Sequence, residues 1–209
     1  MSLVFYYAPM STASITELIL EELGVPCEKV KLDIQKGDTK KPEYVALNPN
    51  AKVPCVVHDG TPIWESAALT MYLGETFGVE RKLYPAPGPK RGEAMKWIVW
   101  TNVTLGDAVA RYTRNTTNWY PDDQKNAKAG EVAKEDIANC LRILDKALEG
   151  KQFLIGDYTL ADAHLNSFSG WLRMMKIDFT PYANINAWND RCMARPAIKK
   201  LMAAAGAGA

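Results

Sequence analysis

Apolar residues in the first 50 positions alternate between strand-like and helical spacing. Residues 3–8 form a short run of β-branched, aromatic and apolar side chains that ends at Pro9, which predicts a buried strand. Residues 14–23 show helical spacing and are followed by the stop signal Gly24. Residues 28–32 alternate like a strand, and residues 42–47 are predicted to form a short helix that begins at Pro42. This order predicts a right-handed βαβ unit followed by a short helix.

A hairpin and another helix are predicted next. Residues 53–58 and 61–64 are strand-like and are separated by Asp59-Gly60, a dipeptide typical of tight hairpin turns. Residues 65–77 then show helical spacing, and Gly78 lies beyond their end. The predicted order over residues 1–78 is therefore βαβαββα, with two antiparallel strands closing the sheet.

The pattern changes after residue 78. Residues 79–90 contain three prolines and a glycine in no periodic arrangement, which predicts a linker. Beyond the linker, apolar residues recur at helical spacing in at least four segments. Residues 159–162 have the form of a capping box with aspartate at its last position, and residues 206–209 are predicted to be a frayed tail. We therefore predict an α/β domain at 1–78, a linker at 79–90 and an all-helical bundle domain at 91–209.

Composition and charge exclude several classes of protein. The 209 residues carry 25 Lys and Arg against 24 Asp and Glu, a formal net charge of +1, and 47% of them are hydrophobic. This balance gives no electrostatic basis for sequence-independent nucleic-acid binding, and the apolar fraction is unlike that of a disordered chain. The longest apolar runs, such as residues 53–57, fall far short of the ~18 residues of a membrane span. The sequence predicts a soluble globular protein that binds neither nucleic acid nor membrane.

Cysteine and histidine usage predicts a cytoplasmic protein without a metal site. The cysteines lie far apart with no paired spacing, which is typical of reduced structural thiols. The chain has two histidines, His58 and His164, so a histidine-based metal cluster is not expected. Residues 1–9 lack the basic region that opens a secretory signal. The four cysteines are Cys27, Cys55, Cys140 and Cys192.

Three short segments carry residues suited to chemistry. Ser11 and Thr12 lie at the junction of the first strand and first helix, where unpaired N–H groups and the helix dipole favour an anion such as a thiolate. Val53-Pro54 opens the hairpin, where a cis bond would turn the preceding backbone groups outward. Glu65-Ser66 begins a helix and offers partners for an amine and a carboxylate. The hydroxyl groups in these segments could instead have a purely structural role, because serine and threonine commonly cap helices.

Four motifs occur together in an order and at separations that resemble the cytosolic glutathione transferases. They are Tyr-Tyr-Ala-Pro-Met-Ser at 6–11, Lys-Lys-Pro-Glu-Tyr at 40–44, Asn-Pro-Asn-Ala-Lys-Val-Pro at 48–54 and Trp-Glu-Ser-Ala-Ala at 64–68. Gly-Asp-Tyr-Thr-Leu-Ala-Asp at 156–162 extends the resemblance to almost the whole chain. The resemblance implies a thioredoxin-like domain that binds glutathione, a helical domain that binds a hydrophobic electrophile, and a cis bond before Pro54.

The resemblance implies roles for residues at the sulfur of glutathione. The spacing Pro9-x-Ser11 is similar to that of the serine-type classes, such as phi and delta. Ser11 is therefore expected to donate a hydrogen bond to the thiolate, and Thr12 is a rival donor. Val53, followed by Pro54, is expected to pair its backbone with the cysteinyl unit.

The resemblance also implies partners for the two ends of the tripeptide. Glu65 and Ser66 are expected to bind the γ-glutamyl end. Lys40 and Lys52 are expected near the glycyl carboxylate, although a lysine is by itself more typical of solvated surface.

Two departures from the family pattern leave the class open. Ala67 stands where many relatives carry arginine, and Ala51 stands where some delta-like enzymes carry histidine. Residues 9–14 contain no cysteine, which argues against the omega and beta classes and against a dithiol mechanism.

A stripe of residues at helical spacing in the second half is a candidate lining for the electrophile pocket. Such a stripe more often packs against another helix or a subunit than binds a substrate, so both alternatives stand. The stripe consists of Ala108, Tyr112, Asn115 and Trp119, with Arg111 adjacent, and the weaker candidates are Met10 and Trp171.

The predicted function is the conjugation of glutathione, as the cosubstrate, to hydrophobic electrophiles in detoxification, with no metal. One alternative is a non-catalytic protein of the same fold that binds ligands or regulates a partner. Another is a specialised glutathione-dependent etherase, dehalogenase or isomerase. The resemblance also implies a homodimer.

Overall fold

The computed structural model describes residues 2–206, and its N-terminal part is built on a mixed four-stranded sheet. The strands are β1 (Leu3–Tyr7), β2 (Glu28–Lys31), β3 (Cys55–His58) and β4 (Thr61–Trp64), in the order β2-β1-β3-β4. The β1–β2 pair is parallel, with Val4 opposite Glu28. The β1–β3 and β3–β4 pairs are antiparallel. Phe5 of the central strand β1 is fully buried, so the core runs along this strand.

Three helices accompany the sheet: α1 (Ala13–Leu23), α2 (Pro42–Val45) and α3 (Ser66–Leu73). α1 buries its apolar stripe and ends at Gly24, whose φ of 61° suits glycine because it has no Cβ. α2 begins at Pro42, where the missing N–H costs no helical hydrogen bond. α1 and α3 pack against each other.

After α3, the described part of the chain contains helices joined by turns and loops, and no further named strand. Its helices are α4 (Pro89–Trp100), α5 (Gly106–Thr116), α6 (Ala127–Ala147), α7 (Leu160–Met174), α8 (Ala183–Met193) and α9 (Pro196–Gly206). A turn of π-helix, Thr101–Leu105, joins α4 to α5. Among residues 2–206, no helix is both long and apolar enough to cross a membrane.

Helix α7 is central because it contacts both parts of the molecule. It packs against α1, α3 and α4, and its own residues 160–166 are all buried. The helix begins with a capping box in which the Asp162 carboxylate accepts from the Thr159 N–H at 2.9 Å. The capping box predicted at residues 159–162 is therefore present.

The predicted βαβαββα order followed by a helical bundle is confirmed, with shifts at several element ends. β3 begins at Cys55 rather than at residue 53, because Pro54 has no N–H for a strand ladder. The Val53–Pro54 bond is cis, as the resemblance implied. α3 ends at Leu73 and continues as a π turn to Gly78. α4 begins at Pro89, inside the segment predicted as a linker. Beyond Gly206, which ends α9, the predicted frayed tail lies outside the described residues.

Candidate functional site

Two adjoining cavities meet where α1 begins. One is polar, has a volume of about 300 Å³ and is lined by Thr12, Asn48, Asn50, Lys52, Val53, Pro54, Glu65, Ser66 and Asn102. The other has a volume of about 510 Å³ and is lined by Ser11, Thr12, Ile15, Lys52, Asn102, Gly106, Val109, Ala110, Thr113, Trp119, Tyr120, Phe168 and Trp171. Thr12, Lys52 and Asn102 line both cavities, so they mark the passage between them.

The loop between β1 and α1 presents two hydroxyl groups, and they differ in their hydrogen bonding. Ser11 Oγ donates to the Ala8 carbonyl at 2.6 Å and accepts from the Ala13 N–H at 3.2 Å, so it caps the helix. Thr12 Oγ1 donates to the Val53 carbonyl over a longer distance, 3.4 Å. The Ser11 hydroxyl is thus more firmly engaged within the protein than the Thr12 hydroxyl.

The loop before β3 is held by side chains from its own region of the chain. Tyr44 Oη and Asn48 Nδ2 each donate to the Lys52 carbonyl at 2.7 Å. Both residues are buried, and burial raises the pKa of Tyr44 above its usual value, so its phenol stays protonated as a donor. These bonds fix the backbone that leads into Val53 and Pro54 at the floor of the polar cavity.

Glu65 and Ser66 also line the polar cavity. Glu65 has a φ of 74°, a conformation that costs energy for a residue with a Cβ and turns the chain sharply from β4 into α3. Its side chain lies at the exposed rim, whereas Ser66 is buried and begins α3. Ser66 Oγ accepts a hydrogen bond from Asn102 Nδ2 at 2.9 Å. An anion at this helix start would meet a hydroxyl and the positive end of the helix dipole.

The two lysines of the sequence prediction are placed differently. Lys52 lines both cavities. Lys40 is exposed at the end of a short 3-10 turn, Asp38–Lys40, and lines neither cavity.

The larger cavity has aromatic walls. Phe168 and Trp171 come from α7, and Trp119 and Tyr120 come from the loop after α5. The Trp119 and Trp171 rings meet edge to face, with centroids 6.1 Å apart. Trp119 is 57% exposed, so this wall also borders solvent. The cavity is therefore suited to an apolar molecule, and it borders solvent at Trp119.

The face of α5 that lines the cavity differs from the predicted stripe. Residues Gly106, Val109, Ala110 and Thr113 line it. Five predicted lining residues do not: Met10, Ala108, Arg111, Tyr112 and Asn115.

Packing against α6 explains this difference on α5. Arg111 pairs with Asp136 of α6 at 2.8 Å, and Asn115 Oδ1 accepts from the Asn126 N–H, just before α6 begins. Ala108 is buried, and Met10, in the β1–α1 loop, is exposed to solvent. The predicted stripe is therefore mainly a helix-packing face, which was the alternative that the spacing left open.

Sequence reasoning missed several cavity residues, of which Asn102 and Phe168 are examples. Asn102 lies in the π turn between α4 and α5, and Phe168 lies on a core-facing side of α7. Asn102 lies between the polar residues Thr101 and Thr104, so no local pattern distinguishes it. The apolar spacing that includes Phe168 does not show whether a residue lines a cavity or packs in the core. Their positions depend on contacts between distant segments.

Comparison with known proteins assigns both parts of the chain to the same family. The family model for the glutathione S-transferase N-terminal domain matches residues 1–75, and that for the C-terminal domain matches residues 108–196. The chain belongs to the glutathione S-transferase family.

Similar solved structures cover nearly the whole chain. A glutathione transferase from Phanerochaete chrysosporium in complex with oxidized glutathione has a TM-score of 0.88 and 25% identity, over 96% of this chain and 94% of its own. A glutathione transferase from Methylococcus capsulatus has a TM-score of 0.85 and 26% identity, over 98% of each chain. Ure2p in complex with glutathione has a TM-score of 0.86 at 20% identity, over 95% of this chain and 92% of its own, and shares the fold.

Proposed function

We propose that the chain binds glutathione in the polar cavity and transfers it, as the thiolate, to a hydrophobic electrophile in the aromatic-walled cavity. The observation that carries this proposal is the position of Thr12, whose side chain lines both cavities at the start of α1. A sulfur atom that emerges from the polar cavity at this point would meet an apolar substrate directly.

The polar cavity offers a partner for each part of the tripeptide. The Val53 backbone would pair with the cysteinyl unit, next to the cis bond to Pro54. Ser66, at the start of α3, would donate to the γ-glutamyl carboxylate, and Glu65 at the rim would accept from its amine. Lys52 would lie near the glycyl carboxylate.

The chemistry needs a thiolate at neutral pH. A free thiol with a pKa of ~8.5 is only a few per cent ionised, and the thiolate is the nucleophile. A hydrogen bond to a charged group contributes ~1.5–3 kcal/mol, which corresponds to ~1–2 pKa units. The thiol proton leaves to solvent, a sulfur–carbon bond forms, and a leaving group, where the electrophile has one, departs with its electron pair.

Of the two hydroxyl groups, that of Thr12 is the better proposed donor to the sulfur. Ser11 Oγ would have to give up its 2.6 Å bond to the Ala8 carbonyl to reach a ligand. Thr12 Oγ1 is held only by the 3.4 Å contact to the Val53 carbonyl, a group that the cysteinyl N–H would engage on binding. We therefore assign the thiolate bond to Thr12 and the helix cap to Ser11.

Substitution of Thr12 tests this assignment. Thr12→Val removes the hydroxyl and keeps the shape, so turnover with a chlorodinitrobenzene-type substrate should fall ~10- to 100-fold. The pKa of bound glutathione, followed by thiolate absorbance, should rise by ~1–2 units. Thr12→Ser keeps the hydroxyl and should stay close to the parent protein.

Ser11→Ala is the matched control for this test. It should lower the free energy of unfolding by ~0.5–2 kcal/mol through loss of the cap, with a much smaller effect on the thiol pKa. A large rise of that pKa in Ser11→Ala and none in Thr12→Val would move the role to Ser11. Unchanged pKa values in both variants would refute hydroxyl activation.

A second candidate is a glutathione-binding protein without transferase activity, and the capping role of the Ser11 hydroxyl favours it. In this case the protein would be retained on glutathione resin yet show no turnover with halide, epoxide, enone and peroxide substrates. Turnover with only one halide or ether class would instead indicate a specialised dehalogenase or etherase.

We also propose a homodimer in the cytoplasm that serves detoxification. All four cysteines are free, which suits a reducing compartment. Size-exclusion chromatography with light scattering would give the mass of a dimer, and the mass of a single chain would contradict that part of the proposal.

A further inference from the structure

A chain of side-chain hydrogen bonds joins the buried His164 to Ser66 in the polar cavity. Thr70 Oγ1 lies 2.8 Å from His164 Nδ1, and His164 Nε2 lies 2.7 Å from Asn102 Oδ1. Asn102 Nδ2 then lies 2.9 Å from Ser66 Oγ. Ser66 and Thr70 are one turn apart on α3. The series of hydrogen bonds therefore runs from Thr70 to His164 on α7, then to Asn102 in the π turn, and back to α3 at Ser66.

Each bond in this chain has one direction of donation. His164 has no exposed surface, and burial lowers its pKa to about 3, so the ring is neutral at physiological pH. The Asn102 NH₂ group, which can only donate, faces Ser66, so its carbonyl oxygen faces His164 and must accept. The ring proton therefore lies on Nε2, and the bare Nδ1 accepts from the Thr70 hydroxyl.

This direction determines what the Ser66 hydroxyl can do. Its oxygen accepts from Asn102, so its own proton is left for another acceptor. Ser66 lines the polar cavity at the start of α3, where N–H groups and the helix dipole favour a carboxylate. The hydroxyl is thereby prepared as a donor rather than as an acceptor.

We propose that Asn102 and His164 are positioning residues, which hold the Ser66 hydroxyl as a donor to the γ-glutamyl carboxylate of glutathione. This inference rests on the proposed binding of glutathione in the polar cavity. His164 lines neither cavity, so its effect on Ser66 passes through Asn102. The site in the sheet-containing part is thus organised by a residue in the core of the helical part.

Two amide substitutions of His164 separate positioning from packing. The longer amide introduced by His164→Gln reaches the former Nε2 position and still donates to Asn102. The shorter amide introduced by His164→Asn occupies the former Nδ1 position and leaves the Asn102 carbonyl without its donor. Both variants bury one amide, so they are matched in polarity.

Calorimetric titration with glutathione gives the first readout. His164→Gln should bind within about threefold of the parent protein, whereas His164→Asn should bind about tenfold more weakly, the effect of losing one aligned hydrogen bond to a charged group. Turnover at saturating glutathione should remain the same in both variants, because the thiolate donor is untouched. Thermal melting shows whether each variant is folded.

A truncated peptide gives the second readout. In 4-aminobutanoyl-cysteinylglycine the γ-glutamyl carboxylate is missing, so Ser66 has no carboxylate to meet. The His164→Asn and His164→Gln variants should bind this peptide with equal affinity. Equal affinity for glutathione itself, or a tenfold difference that persists with the truncated peptide, would overturn the proposal.

Substitution of the half-buried Asn102 keeps the proposal testable if a His164 variant does not fold. In Asn102→Asp the carboxylate cannot donate, so the Ser66 hydroxyl would turn to it and away from the ligand, and glutathione should bind at least tenfold more weakly. In a Ser66→Ala background this loss should largely disappear. A loss of equal size in that background would mean simple charge repulsion and would refute the role of Ser66.

The same titrations separate this inference from the proposed function. Absence of glutathione binding by the parent protein would refute the proposed function, and this inference with it. Binding by the parent protein together with unchanged binding by His164→Asn and Asn102→Asp would refute the positioning role alone.

Discussion

His164 is a buried residue whose ionisation is coupled to the stability of the fold. Its ring is fully buried between the Thr70 hydroxyl and the Asn102 carbonyl, both of which it engages as a neutral group. Burial lowers its pKa from 6.5 to about 3. Below pH 6.5 the unfolded chain therefore binds a proton that the folded chain does not bind.

This pKa difference predicts a pH dependence with a definite sign. The contribution of His164 to the free energy of unfolding is fully present above pH 6.5 and is lost as pH falls from 6.5 towards 3. The loss approaches ~1.4 kcal/mol for each pH unit. Denaturant unfolding of the parent protein and of His164→Gln between about pH 7.5 and ~4.5 isolates this contribution, because the other groups cancel in the difference.

The two stability curves should diverge in slope only below pH 6.5, the pKa of the unfolded histidine. Parallel curves over the whole range would mean that His164 titrates alike in both states.

Also at the scale of single residues, the loop between β1 and α1 shows that a local motif does not distinguish two neighbouring hydroxyl groups. Ser11 is the expected thiolate donor because its spacing from Pro9 matches the serine-type classes. Its hydrogen bonds to Ala8 and Ala13 are contacts within the same loop, and they favour Thr12 as the donor. The sequence located the loop, but side-chain orientation distinguishes its two hydroxyls.

At the scale of elements, the start of α7 depends on one carboxylate. Asp162 is fully buried and accepts from four donors: the N–H groups of Leu154 and Thr159, the Thr159 hydroxyl and the Trp188 indole. Burial raises the pKa of Asp162, while these four donors oppose that rise. Its oxygens hold the loop before α7, the helix start and α8 together.

Asp162→Ala should therefore be strongly destabilising. It leaves several buried donors without an acceptor, and we expect the free energy of unfolding to fall by ~3 kcal/mol or more. The control is Asp157→Ala, five positions earlier, where an exposed carboxylate pairs with Lys90 at 3.3 Å and should contribute at most ~1 kcal/mol. Similar losses in the two variants, measured by urea unfolding, would contradict the capping role.

At the same scale, residue spacing did not predict which side of α5 faces the cavity. The stripe Ala108, Tyr112, Asn115 has helical periodicity, yet this side of α5 meets α6 and the neighbouring side lines the cavity. An amphipathic pattern shows that a helix has a buried face. It does not say whether that face meets another helix or a ligand.

At the scale of the whole molecule, the sheet-containing and helical parts are joined by a buried ion pair. Glu22 of α1 has a side chain only 2% exposed, and Arg195 Nε, just before α9, donates to it at 3.1 Å. The Tyr158 hydroxyl donates to the same carboxylate at 2.8 Å. The Arg195 guanidinium also lies 3.9 Å from the centroid of the Tyr158 ring.

Loss of this carboxylate should weaken the contact between the two parts. Glu22→Ala leaves a half-buried Arg195 and a buried phenol unpaired, and the free energy of unfolding should fall by ~3–5 kcal/mol. The neighbouring Glu21→Ala is the control, since Glu21 pairs with the exposed Lys200 and should contribute at most ~1 kcal/mol. Equal losses in the free energy of unfolding, again measured with urea, would show that the buried pair stabilises the protein no more than the exposed pair.

Sequence patterns alone predicted the order of the elements, the loop that carries Ser11 and Thr12 and the Glu65-Ser66 helix start, whereas the cis bond before Pro54 was expected only from the family resemblance. These features depend on residues that are neighbours in the chain, where spacing, proline and glycine restrict the backbone directly. The packing of distant segments determines which face of α5 lines the cavity and how His164 connects through Asn102 to Ser66. Such contacts join segments distant in sequence, and their geometry follows from how α3, α5 and α7 pack rather than from any local pattern.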